Sequence, residues 1–152
     1  MAKAFAFRLE TLLGLRRVKE DVARSSLERA RQAVAMQNQA LTGLLREDAE
    51  EKDALRELRC NELDLVQVRL HQGYLNALEH RIRREFEALQ ALSRTETERR
   101  RGLTQALKEV KILERLRERQ LKAHRAEADR EERDFLDEVA QRSRLQTQGG
   151  GA

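Results

Sequence analysis

Cys60-Asn61-Glu62-Leu63-Asp64-Leu65-Val66 is the stretch on which the reading of this chain turns. On either side of it, mainly apolar residues recur at steps of three and four. Upstream the stripe runs Leu27, Ala30, Val34, Gln37, Leu41, Leu44. Downstream it runs Leu78, Ile82, Glu85, Leu89, Leu92, Glu96, Arg99, Leu103, Ala106, Val110. That spacing marks a helix with one buried face. The phase is lost between Leu58 and Leu70, where Leu63, Leu65, Val66 and Val68 share no single stripe. Asn61 and Asp64 have short side chains that accept hydrogen bonds from the unpaired amides of a first helical turn. The stretch therefore reads as the bend of a helical hairpin, at about 60–66. One chain then supplies both partners of an antiparallel two-helix coiled coil.

Composition points the same way. The chain has 152 residues, 38% charged and 3% aromatic, with no proline and no tryptophan. A globular core of this length would need more aromatic and less charged mass. Freedom from proline fits long uninterrupted helices, because proline costs about 3 kcal/mol inside one. The expected class is all-α, with a narrow seam in place of a three-dimensional interior. Helix one is expected at about 5–59 and helix two at about 67–144, within one elongated unit over 1–145, followed by a disordered tail at 146–152. Gly14 and Gly43 each weaken helix one, and Gln37, Asp48 and Glu51 interrupt its seam with polar groups that can fix register.

Lys and Arg number 31 against 27 Asp and Glu, a net charge of +4, and the two signs are interleaved. Pairs in the favourable helical order are Glu20–Arg24, Asp48–Lys52, Glu96–Arg100, Glu118–Lys122 and Glu138–Arg142. The basic clusters Arg81-Ile82-Arg83-Arg84 and Arg99-Arg100-Arg101 are flanked by Glu79, Glu85, Glu96 and Glu98, and no aromatic platforms accompany them. A nucleic-acid partner is not expected. Nothing approaches about 20 apolar residues, so no membrane span is expected, and the single cysteine excludes an intramolecular disulfide.

No phosphate loop, dinucleotide fingerprint or nucleophile elbow occurs. His71, His80 and His124 lack metal-ligand spacing and read as solvent-exposed helical residues, and Cys60 reads as a small apolar residue at the bend. A two-helix seam offers no concave pocket in which paired carboxylates could shift their pKa values. The chain is expected to be no enzyme and to need no cofactor or metal.

If the chain folds back about residue 63, residue i faces roughly residue 126 − i, given the same rise per residue in both helices. Leu41 then lies near Glu85–Phe86, Val34 near Leu92, Leu12 near Leu113–Leu116, and Met1 near Arg125. Everything after about Arg125 has no partner within the chain. Phe135, Leu136 and Val139 nevertheless sit there at helical spacing, either as a fraying end or as half of a seam for another protein.

Three stretches together resemble a known family. They are the opening Phe5-x-Phe7-x-Leu9-Glu10-x-Leu12-Leu13 with Arg16-Arg17, then Tyr74-Leu75-x-x-Leu78-Glu79-x-x-Ile82 just after the bend, and Lys111-Ile112-Leu113-Glu114-Arg115-Leu116-Arg117-Glu118-Arg119 with the charged run ending Asp137-Glu138-Val139-Ala140. Their order and spacing are similar to FliJ, the coiled-coil protein of the flagellar type III export apparatus. The resemblance implies a hairpin like the central stalk of rotary ATPases. It implies association with the export ATPase hexamer, promotion of ring assembly and activity, contact with the cytoplasmic domain of the membrane export gate, and binding of export chaperones. It also implies a cytoplasmic location, peripheral to the inner membrane at the flagellar base.

By that analogy the ATPase contact falls on Phe5, Leu9, Leu12, Leu13, Arg16, Arg17, Leu113, Leu116 and Arg117. The gate contact falls on Tyr74, Leu78, Arg81, Ile82 and Glu85. Arg81 and Glu85 depart from the apolar character of such a face. Rival readings are the equivalent stalk of a virulence type III secretion system, a stalk subunit of a proton-pumping ATPase, and a generic scaffold that dimerises through continuous parallel helices.

Overall fold

A computed structural model describes residues 4–61 and 64–148. Two helices account for nearly all of them, α1 (Glu10–Cys60) and α2 (Leu65–Gln148), packed against each other. The all-α hairpin topology expected from the sequence is the one observed. Because α1 and α2 pair within one chain, the reading as continuous parallel helices does not hold.

The ends of the helices follow from local chemistry. Asn61 closes α1 instead of capping α2, its N–H donating to the Glu57 carbonyl at 3.2 Å. Asp64 is the N-cap of α2: its Oδ1 accepts from the Val66 N–H at 3.0 Å and the Gln67 N–H at 3.5 Å, while its carbonyl accepts from the Val68 N–H at 3.0 Å. Two otherwise unpaired amides of the first turn are thereby satisfied. Glu62 and Leu63, at the centre of the expected bend, lie outside the described residues. Cys60, the last residue of α1, is exposed. At the other end α2 continues to Gln148, three residues into the stretch expected as a tail; the remainder, 149–152, lies outside the described residues.

Helix one starts later than expected. Residues 4–7 are not helical, and α1 begins at Glu10, whose N–H donates to the Phe7 carbonyl at 3.1 Å. The reason is burial: Phe7 is 8% exposed and packs with Leu13, Val110 and Leu113. Folding the segment onto the helices hides more aromatic surface than one further helical turn would.

Packing groups the chain into two compact units, Met1–Lys19 with Ala106–Ala152, and Glu20–Gln105. In the first, Phe7, Leu13, Val110 and Leu113 form the core, with Phe5, Leu9 and Leu116 packed against it. In the second, the buried residues are Leu27, Leu41, Leu44, Leu55 and Leu78. On α1 the covered positions step by three and four through Leu27, Ala30, Val34, Gln37, Leu41 and Leu44, as the stripe predicts. Arg99 is the exception on α2, since it is exposed; its guanidinium is better solvated outside a narrow seam than within it.

Pairing is antiparallel within each unit. In the second, Gln37 reaches Glu85 and His71 reaches Glu51, about one helical turn from the partners counted about residue 63. In the first, Arg16 meets Glu109 and Phe5 meets His124, closer to that count. All five pairs named above in favourable helical order are present: Glu20–Arg24, Asp48–Lys52, Glu96–Arg100, Glu118–Lys122 and Glu138–Arg142.

Candidate interaction surfaces

The first surface is built around the N-terminal segment. Leu13 is fully buried and Leu113 is 9% exposed, so both hold the two helices together and present nothing to a partner. The two leucines named for the ATPase contact are thus core positions of this hairpin. Phe5, Leu9 and Leu116 are half-buried against the same core. The Phe5 ring meets His124 edge-on with centroids 5.7 Å apart, which half-buries a histidine expected to be exposed.

The three arginines assigned to this surface lace its two sides together. Arg16 donates to Glu109 at 2.7 Å, Arg17 to Glu114 at 3.3 Å, and Arg117 to Glu10 at 3.0 Å. Partly exposed pairs of this kind contribute little stability each, but they leave the cations at the rim of the core. Leu12 is 36% exposed, and Leu15, Val18 and Ile112 are more open still. The seam passes over these last three, because Leu15 and Val18 fall out of phase with Leu13 on α1 and Ile112 falls out of phase with Val110 and Leu113 on α2. On α1 the step of three from Leu15 to Val18 was the available signal.

The second surface lies near the start of α2. Leu78 is 3% exposed and belongs to the seam, and Ile82 is half-buried. Glu85 accepts from the Gln37 amide at 2.5 Å on its carboxylate and at 3.0 Å on its carbonyl. The structure thus takes Leu78 out of the expected face and ties Glu85 to α1. Tyr74 and Arg81 remain exposed, the tyrosine hydroxyl donating to Glu47. Leu65, Val66 and Leu70 are each more than two-thirds exposed. Val66, Leu70 and Tyr74 step by four and so share one face of α2. A contiguous apolar face of that kind, on a chain this charged, marks an interaction site more often than chance exposure does. His71, also expected to be exposed, is half-buried against Glu51. Among the described residues no cluster of three His, Cys, Asp or Glu could hold a metal ion.

Comparison with known families decides the identity of this arrangement. The family described as Flagellar FliJ protein matches residues 5–149. The chain belongs to the FliJ family. The match spans both helices and the N-terminal segment, and it makes the chain a component of flagellar type III export, in a family that is non-enzymatic. It favours the flagellar form over the virulence stalk and the proton-pump stalk. No curated protein and no solved structure matches the chain. In this FliJ-family chain no helix among the described residues is long and apolar enough to cross a membrane.

Proposed function

We propose that this chain is a stalk-like adaptor of the flagellar export apparatus. It binds the export ATPase ring through the first surface, promotes ring assembly and hydrolysis, and contacts the export gate through the second. Export chaperones are further partners. The work is done on the cytoplasmic side, at the periphery of the inner membrane.

The observation that carries the reading is the family match over 5–149. The geometry supports it at the first surface. There a fully covered core, Phe7 with Leu13, fixes a rim where Leu12, Leu15 and Ile112 stand exposed beside Arg17 and Arg117. A rim of mixed apolar and cationic groups suits a contact that must form and release. Its apolar part supplies affinity, and its exposed charges mainly speed and orient encounter.

The test is the ATP hydrolysis rate of the same organism's flagellar export ATPase, with and without the chain, measured alongside ring formation. The expected result is dose-dependent stimulation of both. Leu12→Asp and Ile112→Asp, at exposed positions, reduce stimulation while far-ultraviolet circular dichroism stays unchanged. Absence of binding by the unmodified chain would sink the ATPase assignment. For the gate, Val66→Asp and Tyr74→Ala are expected to weaken binding to its cytoplasmic domain and leave ATPase stimulation intact. Equal loss of both activities would refute a separate gate surface.

A further inference from the structure

The end of α2 carries a surface that the reading above leaves unused. Ala128 is the last half-buried residue of the helix, and from Asp129 to Gln146 every position is exposed. Phe135 is 63% exposed, Leu136 57% and Val139 48%. A helix of this length with no packed face is marginal in water. One face continues the heptad spacing through Ala128, Glu132, Phe135, Val139, Arg142 and Gln146. It carries on the stripe of Leu121, His124 and Ala128, which is half-covered on its way past the N-terminal segment.

We propose that this face is covered by the same face of a second copy of the chain, with the two helices antiparallel. The charges select both occupant and orientation. Between 127 and 138 there are seven carboxylates against two arginines, whereas Arg142 and Arg144 follow beyond. A parallel pair would set Glu132 against Glu132 and Arg142 against Arg142. The antiparallel pair sets Phe135 opposite Val139 of the second copy and Glu132 opposite Arg142 of the second copy. The two-fold symmetry repeats each contact.

The register also fits the space. It brings Gln146 of the second copy to Ala128, and the Phe5 ring covers α2 at His124, one turn earlier. The last layer of the shared face therefore lies one turn beyond the chain's own cover. Arg142 already holds Glu138 of its own helix at 2.7 Å and keeps donors to spare. Glu132 has no partner among the described residues. With two apolar layers, the contact is small and belongs with weak, reversible associations.

Sedimentation equilibrium of the full chain over a wide concentration series tests this. The weight-average mass is expected to rise from 17.7 kDa toward twice that value. Phe135→Asp, at an exposed site that leaves the fold intact by circular dichroism, is expected to hold the chain monomeric. Glu132→Arg and Arg142→Glu singly are each expected to weaken association by about tenfold or more. Together in one chain they are expected to restore it, because the layer is re-formed with its signs exchanged. A chain monomeric at every concentration overturns the proposal. So does association that survives Phe135→Asp, which places the contact elsewhere, and so does a double variant no better than either single one.

Discussion

Replacing Leu13 by alanine tests whether the N-terminal segment and the two helices form one packed core. Leu13 is 0% exposed and sits with Phe7, Val110 and Leu113. Losing three buried carbons forfeits about 2.4 kcal/mol of transfer free energy at about 0.8 kcal/mol per group. A cavity term adds to this, and Leu→Ala changes in well-packed cores span about 2.7–5.0 kcal/mol. Here Phe5, Leu9 and Leu116 are only half-buried around the gap and can move inward, so the cavity term is small. The expected cost is about 3 kcal/mol, or roughly 150-fold in the unfolding equilibrium.

Urea unfolding followed by circular dichroism measures the total. Hydrogen exchange locates it, with amide protection falling at α1 residues 13–19 and α2 residues 106–116. Leu15→Ala is the control, since Leu15 is 62% exposed, and its effect is expected to stay within about 0.5 kcal/mol. A cost below about 1 kcal/mol for Leu13→Ala, or one equal to that of Leu15→Ala, would refute the claim that Leu13 anchors a core.

Other substitutions probe single interactions. Asp64→Ala removes the cap that Val66 and Gln67 use; it is expected to cost about 1 kcal/mol by urea unfolding, with Asp64→Asn close to the unmodified chain. Gly43→Ala and Gly102→Ala are each expected to raise stability by about 0.5–1 kcal/mol in thermal melts, because an added Cβ meets nothing within 4 Å at either position. Arg16→Ala breaks the 2.7 Å pair with Glu109, which Lys19 also approaches at 3.5 Å. Its cost is expected to stay at or below about 1 kcal/mol and to shrink as salt is added.

How legible the contact surfaces were depends on which property identifies them. A leucine at seam spacing reads equally as core or as contact residue, and it is the family resemblance that places Leu13, Leu78 and Leu113 in contacts. Burial separates the two, and burial depends on what the opposite helix places across from each residue. Val66, Leu70, Leu15 and Ile112 went unassigned for the converse reason, since they fall off the seam whose phase organised the reading. The histidines show the same dependence. His71 and His124 are half-covered by Glu51 and Phe5, residues distant in sequence that only the pairing register brings near.

The amino-acid sequence by itself determined the two long helices, the position of the turn and the family. These rest on periodicity, on the absence of proline and on short motifs in order, all properties of the chain read locally. The cap at Asp64 and the five intrahelical ion pairs belong with them, since partners within four residues meet in any helix. Tertiary structure alone decided that Phe5–Leu9 leaves the helix to roof a core, and that Gln37 pairs with Glu85 one turn from the counted position. It also decided which leucines face water. Each of these is a balance between burial against a distant surface and local helical preference, and local preferences of a few tenths of a kcal/mol per residue yield to the burial of a single aromatic ring.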